Sequence, residues 1–169
     1  KTMNNRNPTE KKFEGHIEKY LNSIEYKSIH FEKYDRTLCL IKDEILDFIR
    51  KTQKDSWKKL QEIYQEDVEN KVIHRISSEI SRRGIIDVLR NQVSDRGVYL
   101  IGNNFEPKSD LNPDHLNLFK SNQFSLIRQF HYSTKNENSI DMGLFLNGIP
   151  IVTMELKNQL TGQNYKHSE

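Results

Sequence analysis

The chain has 169 residues, 34% of them hydrophobic and 30% charged, and its 26 basic and 24 acidic residues leave a net charge of +2. Because the charge is nearly balanced, composition alone does not indicate nucleic-acid binding, and a DNA surface would require local segregation of charge. A single cysteine, Cys39, excludes an intrachain disulfide and fits a reducing compartment.

The sequence contains no stretch of about 18 apolar residues, so no membrane span is expected. The N-terminus lacks the apolar core of a signal peptide. Because the chain begins with Lys1 and stops without a structural ending, we expect a fragment of a larger protein. Cys39 lies within an apolar run, which predicts a buried structural thiol.

Helical patterns dominate residues 1–84. The first predicted helix begins near Pro8 and has one apolar face, made by Phe13, Ile17, Tyr20, Leu21 and Ile24. A second is predicted over residues 37–51, with its inward positions at Leu38, Ile41, Ile45, Phe48 and Ile49. A third starts at Asp55, a natural N-cap, and ends at Gly84; its spacing allows one long helix or two stacked pieces.

Residues 85–169 change to the two-residue period of strands. Short strands are predicted over 98–101 and 124–132, a polar loop over 106–113, and a hairpin over 139–157 with the turn at Asn147-Gly148. Helices followed by strands favour an α+β fold in which a mixed sheet is flanked by helices. We predict one domain over residues 1–169, with a helical part (1–84) and a sheet-rich part (85–169).

The hairpin places charged residues where strands are otherwise apolar. Glu-x-Lys occurs five times in the chain, but only Glu155-x-Lys157 lies on a predicted strand, and the first strand of the same hairpin carries Asp141. A half-exposed strand with solvated charges is the ordinary interpretation. Unpaired charge on an apolar strand is costly, however, which favours a functional site.

The turn decides whether these acids can meet. A two-residue Asn147-Gly148 loop would place Asp141 opposite Met154, and the two carboxylates would point to opposite faces. A three-residue loop with a glycine bulge shifts the register by one and brings Asp141 to the face of Glu155. The metal hypothesis therefore predicts the bulged loop.

Two carboxylates so placed suit Mg²⁺, which takes one or two carboxylates and keeps several waters. Lys157 would orient or help deprotonate the attacking water and offset charge in the transition state. The pattern therefore predicts metal-dependent phosphodiester hydrolysis at Asp141, Glu155 and Lys157.

The sequence also resembles a known family, the N-terminal nuclease domain of the restriction (R) subunit of type I restriction-modification enzymes. The resemblance covers most of the chain, and its most specific part is the C-terminal group of motifs. The segments that carry it are Phe13-Glu14-Gly15-His16-Ile17, Phe48-Ile49-Arg50-Lys51-Thr52-Gln53 with Trp57, Arg83-Gly84-Ile85-Ile86-Asp87-Val88-Leu89-Arg90, Asn122, Arg128-Gln129-Phe130-His131-Tyr132, Asp141, Asn147-Gly148-Ile149-Pro150, Glu155-Leu156-Lys157-Asn158 and Thr161-Gly162-Gln163.

The resemblance implies a PD-(D/E)xK restriction-endonuclease-like core, with Asp141 and Glu155 as metal ligands and Lys157 as the catalytic lysine. Glu14 is the candidate for an assisting acid and third metal ligand. It implies double-stranded DNA as substrate, methylation and specificity subunits as partners, and a bacterial cytoplasmic location. It also implies a C-terminal helicase-like motor that uses ATP. No Gly-x4-Gly-Lys-Ser/Thr motif occurs here, so no nucleotide site of that kind is expected in this chain.

Three arginines are candidate phosphate contacts: Arg83 and Arg90 near the end of the third helix, and Arg128 on the strand beside the hairpin. For Arg128 a structural ion pair is the favoured alternative. A different class of function stays open for the whole chain, a non-catalytic docking module whose helical half binds partner subunits and whose Glu155/Lys157 pair is structural.

Overall fold

A computed structural model describes residues 8–108, 112–135 and 138–156. The helices are α1 (Pro8–Ser23), α2 (Lys42–Thr52), α3 (Lys54–Tyr64), α4 (Val68–Arg83), α5 (Ile85–Arg90) and α6 (Pro113–Phe119). The strands are β1 (Lys27–Ser28), β2 (Val93–Asp95), β3 (Val98–Leu100), β4 (Phe124–His131), β5 (Ser139–Leu146) and β6 (Ile149–Met154). None of these helices combines the length and the apolar character needed to cross a membrane.

The main sheet has the strand order β1-β4-β5-β6. β1 pairs with β4 in parallel, whereas β4–β5 and β5–β6 are antiparallel, so the sheet is mixed. β2 and β3 form a separate antiparallel pair. The predicted α+β fold, with helices and a mixed sheet, is confirmed.

Two faces of the main sheet are covered by different elements. Adjacent β4 residues point to opposite sides, because side chains alternate along a strand. Leu126 packs in a cluster with Ile17 and Leu21 of α1. Ile127 packs in another, beside Phe130, Phe145 and other buried side chains. The largest cluster joins α2, α3, α4 and α5 to β2, β3 and the first residue of β6.

The first predicted helix is confirmed as α1, but its inward face is narrower than predicted. Ile17 and Leu21 pack against the sheet. Phe13, Tyr20 and Ile24 are instead 50%, 63% and 49% exposed. The spacing identified the apolar residues of α1, but the sheet packs against only part of the helix surface that they form.

The second helix begins later than predicted, at Lys42, because residues 35–40 form a tight turn. The Asp35 carboxylate accepts hydrogen bonds from the backbone N–H groups of Thr37 and Leu38. Cys39 has a positive φ of 58°, which is incompatible with a helix. The Cys39 side chain is exposed, so the prediction of a buried thiol is wrong. The run is apolar, but the turn directs its middle residue outward.

The third helical pattern is two helices, α3 and α4. Gln65 and Asp67 between them have φ values of 57° and 58°, which break the helix. Asp55 lies in the first turn of α3 rather than at its N-cap, which is Gln53. Gly84 ends α4 as predicted, with φ 86°, and its N–H donates to the Ile80 carbonyl.

The strand predictions hold for β3, β4 and the hairpin as far as Met154. Glu155 was predicted on the second strand of the hairpin but follows its end, and Lys157 lies outside the described residues. The elements β1, α5, β2 and α6 were not predicted.

The side chains of β4 do not alternate between the two faces of the sheet along the whole strand. Gln129 has φ 55°, and Phe130 consequently packs in the same cluster as Ile127, three residues earlier. This irregularity lies beside the β5 segment that carries Asp141.

Candidate metal centre of the hairpin

The hairpin turn is a two-residue loop with both central residues left-handed. Asn147 and Gly148 have φ values of 50° and 82°, and Leu146 pairs with Ile149 across them. A Cβ on Gly148 would lie 2.4 Å from the Ile41 carbonyl oxygen, so only glycine fits against the start of α2. The predicted three-residue loop is therefore wrong.

The register nevertheless shifts by one residue, inside β6 rather than at the turn. Phe145 pairs with Pro150, but Leu144 pairs with Val152, which leaves Ile151 as an extra residue. The shifted register continues to the last pair, Met142 with Met154. Asp141 precedes Met142 and Glu155 follows Met154, so the two acids are the next residues along the two paired segments. A bulge in the edge strand thus produces the juxtaposition that a glycine bulge in the turn was expected to produce.

Asp141 lies in the middle strand pair and is 8% exposed. Its Oδ2 accepts a hydrogen bond from the backbone N–H of Leu156 at 2.6 Å. A carboxylate that accepts from a backbone N–H is held in one orientation by a charge-assisted bond. The bond also fastens the chain beyond β6 to β5, next to Glu155. Asp141 therefore organises the segment that carries the second acid.

Glu155 is exposed and directly follows β6. Lys157 lies outside the described residues. Across residues 8–108, 112–135 and 138–156, no group of three or more His, Cys, Asp or Glu is arranged to hold a metal ion. A pair of carboxylates is sufficient for Mg²⁺, which completes its coordination with water and substrate phosphate. Asp141, which is buried and oriented, and Glu155, which is exposed, lie on neighbouring segments of the hairpin and fit that requirement.

Glu14 and Arg128 form an ion pair between α1 and β4. Arg128 Nη2 lies 3.0 Å from Glu14 Oε2, and its Nη1 lies 3.0 Å from Glu18 Oε2. Gln129 Nε2 donates to the other Glu14 oxygen at 3.0 Å. Burial alone would lower the pKa of Arg128, but its hydrogen bonds to the two glutamates outweigh that effect and raise the pKa. The structural alternative considered for Arg128 is the one the contacts favour.

The other two arginines lie on the helical layer. Arg83 Nε is 2.8 Å from Asp87 Oδ1 and 3.4 Å from Glu79 Oε2, so its charge is engaged within the helices. Arg90 ends α5 and is exposed. Between these two, Arg90 offers the more accessible cation.

Two features of the site were missed from the sequence. Pro150 has no N–H for the ladder and is tolerated at edges and bulges, so it was an available signal for the shift at Ile151. Asn147 is 1% exposed and locks the turn: its Nδ2 donates to the Gly102 carbonyl at 3.0 Å, and its Oδ1 accepts from the Gln123 N–H at 2.8 Å. No local sequence pattern predicts these partners, which are distant in the sequence.

The comparisons with known proteins agree with the resemblance seen in the sequence. Searches against curated proteins and against solved structures gave no match. The family model for the type I restriction enzyme R protein N terminus matches residues 6–169, which is nearly the whole chain. This chain therefore belongs to the family of type I restriction enzyme R protein N-terminal regions.

Proposed function

We propose that this chain is a Mg²⁺-dependent DNA endonuclease domain with a PD-(D/E)xK core. It hydrolyses phosphodiester bonds without sequence specificity of its own, and a separate specificity subunit chooses the DNA. The observation that supports the proposal is the register shift at Ile151, after which Met142 pairs with Met154, so that Asp141 and Glu155 are the next residues along the two paired segments. Family membership supports the same assignment.

Asp141 and Glu155 would hold the metal, and their hard oxygen donors match Mg²⁺ in kind and number. The bound ion would supply Lewis-acid polarisation of the scissile phosphodiester. Lys157, two residues beyond Glu155, orients the attacking water and offsets the negative charge that develops on the phosphate. Asp141 keeps its orientation through the Leu156 N–H, so one ligand is placed before DNA arrives.

Glu14 acts in this proposal as a positioning residue rather than as a ligand. Both of its oxygens already accept hydrogen bonds, from Arg128 and from Gln129. Arg128 precedes Gln129 on β4 and pairs with Met142, the neighbour of Asp141. The ion pair therefore holds α1 against the strand position next to the metal ligand.

The remaining expectations belong to the whole enzyme. Double-stranded DNA is the substrate, the methylation and specificity subunits are the partners, and an ATP-driven motor C-terminal to this domain delivers the DNA. The bacterial cytoplasm is the proposed location. Of the three candidate arginines, Arg83, Arg90 and Arg128, Arg90 is the exposed one and is proposed to meet a phosphate.

The test uses the complete enzyme with its partner subunits. Asp141→Ala, Glu155→Ala and Lys157→Ala should each abolish DNA cutting while ATP hydrolysis continues, because the motor does not use these groups. The matched control is Glu106→Ala with Lys108→Ala, the same spacing in an exposed loop, which should cut normally. Normal cutting by any of the three site variants would refute the nuclease assignment and leave the docking module.

A further inference from the structure

An open cleft of about 470 Å³ lies at the other end of the sheet from Asp141. Three segments form it: the turn after α1, the end of α2, and the chain from the end of α6 to the start of β4. These segments are far apart in the sequence, so no motif connects them.

The cleft is lined by cations. Lys27, Lys51 and Lys120 line it, and Glu25 is its only carboxylate among the described residues. All three lysine side chains are exposed, and neither Lys51 nor Lys120 forms an ion pair with a described residue. Glu79 on α4 shows the contrasting arrangement, since three arginines surround and neutralise it.

Helix ends explain part of this arrangement but not all of it. Lys51 lies in the last turn of α2 and Lys120 caps α6, where a cation is favoured by the helix dipole. That preference accounts for a lysine at each helix end separately. It does not account for their convergence, with Lys27 of β1, on one concave surface. Three lysines and one glutamate leave the lining of the cleft with a net positive charge, which favours an anionic ligand.

The position of the cleft relates it to the candidate metal centre. Phe124 lines the cleft and pairs with Leu146, which is five positions along β5 from Asp141. At about 3.4 Å per residue this separation is roughly 17 Å. Phosphates of one DNA strand are about 3.4 Å apart along the helix axis, so 17 Å corresponds to about five nucleotides.

We propose that the lysine cleft, lined by Lys27, Lys51 and Lys120, binds a backbone phosphate of the DNA on the order of five nucleotides from the bond held at Asp141 and Glu155. This inference rests on the proposed nuclease function, and it assigns the DNA path across the domain. Ammonium groups bind phosphate without reading bases, which agrees with cutting that has no sequence preference of its own.

The test measures the salt dependence of DNA binding by this chain, using fluorescence anisotropy of a labelled duplex of arbitrary sequence in EDTA. Lys51→Gln with Lys120→Gln removes two charges from the cleft. Each neutralised phosphate contributes about 0.9 to the slope of log K against log salt, so loss of the one phosphate contact in the cleft should make the slope shallower by about 0.9. Reversing the charges, Lys51→Glu with Lys120→Glu, should weaken binding further.

The control is Lys58→Gln with Lys59→Gln, which removes two exposed charges from α3, outside the cleft. Its slope should match the wild type, and all variants should keep the wild-type unfolding midpoint. An unchanged slope in the Lys51/Lys120 variant, an equal loss in the control, or a wild-type chain without salt-dependent binding would overturn the proposal.

Failure of this inference is distinguishable from failure of the nuclease assignment. Asp141→Ala should abolish cutting in the complete enzyme, whereas the Lys51/Lys120 variant tests DNA binding at the cleft. If Asp141→Ala abolishes cutting while the lysine variant keeps the wild-type slope, the nuclease stands and the lysine cleft is refuted. If Asp141→Ala cuts normally, the nuclease assignment fails whatever the lysines do.

Discussion

The ion pair of Glu14 with Arg128 makes a quantitative prediction about stability. Glu14 is 2% exposed and the Arg128 side chain is 28% exposed, so the pair is largely withdrawn from water. Arg128→Met removes this cation from beside the buried carboxylate, which keeps its hydrogen bond from Gln129. Removing one partner of a buried pair costs about 3–5 kcal/mol, and we take the lower end, about 3 kcal/mol, because Arg128 is partly solvated.

That loss is readily measurable. A domain of this size loses about 2–4 °C in Tm for each kcal/mol, so Arg128→Met should unfold about 6–12 °C below the wild type. Adding Glu14→Gln removes the buried negative charge that faced Arg128, so the double variant should recover part of the loss. Thermal unfolding followed by circular dichroism, supported by urea titration, measures the stability of the wild type, the two single variants and the double variant.

The control for this cycle is Arg82→Met. Arg82 also bonds a buried glutamate, Glu79, but its own side chain is 65% exposed, and Arg75 and Arg83 remain beside that carboxylate. Its loss of stability should be much smaller. The reasoning is refuted if Arg128→Met loses less than about 1 kcal/mol, or no more than Arg82→Met, because the magnitude depends on stranding a buried charge.

Two further predictions concern the junction of the hairpin with α2. Gly148→Ala should lower the free energy of unfolding, measured by urea titration, by about 2–5 kcal/mol. The left-handed backbone contributes about 1–2 kcal/mol of this loss, and the overlap of the new Cβ with the Ile41 carbonyl contributes about 1–3 kcal/mol. An unchanged unfolding midpoint would contradict the close approach of Gly148 to Ile41. Burial raises the pKa of Glu44 above its ordinary 4.5, although the Ser125 hydroxyl bonds its carboxylate and acts in the opposite direction. The folded chain therefore binds that proton more tightly, and stability should fall as pH rises from 4.5 through the folded pKa. Glu44→Gln should flatten this fall in urea titrations across the interval, and an unaltered pH slope would contradict the assignment.

Local patterns predicted the elements better than their surroundings. The period of Phe13, Ile17 and Leu21 placed α1 correctly, yet Phe13 is half exposed. Periodicity says which residues share a helix face, but the width of the covered face depends on what packs against it. Cys39 shows the same limit, because an apolar run predicts a buried side chain only where the backbone keeps a regular conformation along the run, and Cys39 lies in a turn.

In the candidate site, too, the sequence predicted some features correctly and others wrongly. Asn147-Gly148 predicted a hairpin, because both residues accept the left-handed backbone that a two-residue turn needs. The position of the register shift was mispredicted, since the bulge belongs to the edge strand at Ile151 and not to the turn. The pairing of Met142 with Met154, which sets the position of Glu155 relative to Asp141, depends on that single extra residue.

By itself, the sequence determined the α+β class, the hairpin with Asp141 on its first strand, and the resemblance confirmed by the family match. Local backbone preference and strand period carry that information. Only the tertiary structure joined Glu14 to Arg128, 114 residues away, and gathered Lys27, Lys51 and Lys120 around one cleft. Such contacts depend on how helices and sheet pack, which no short stretch of residues encodes.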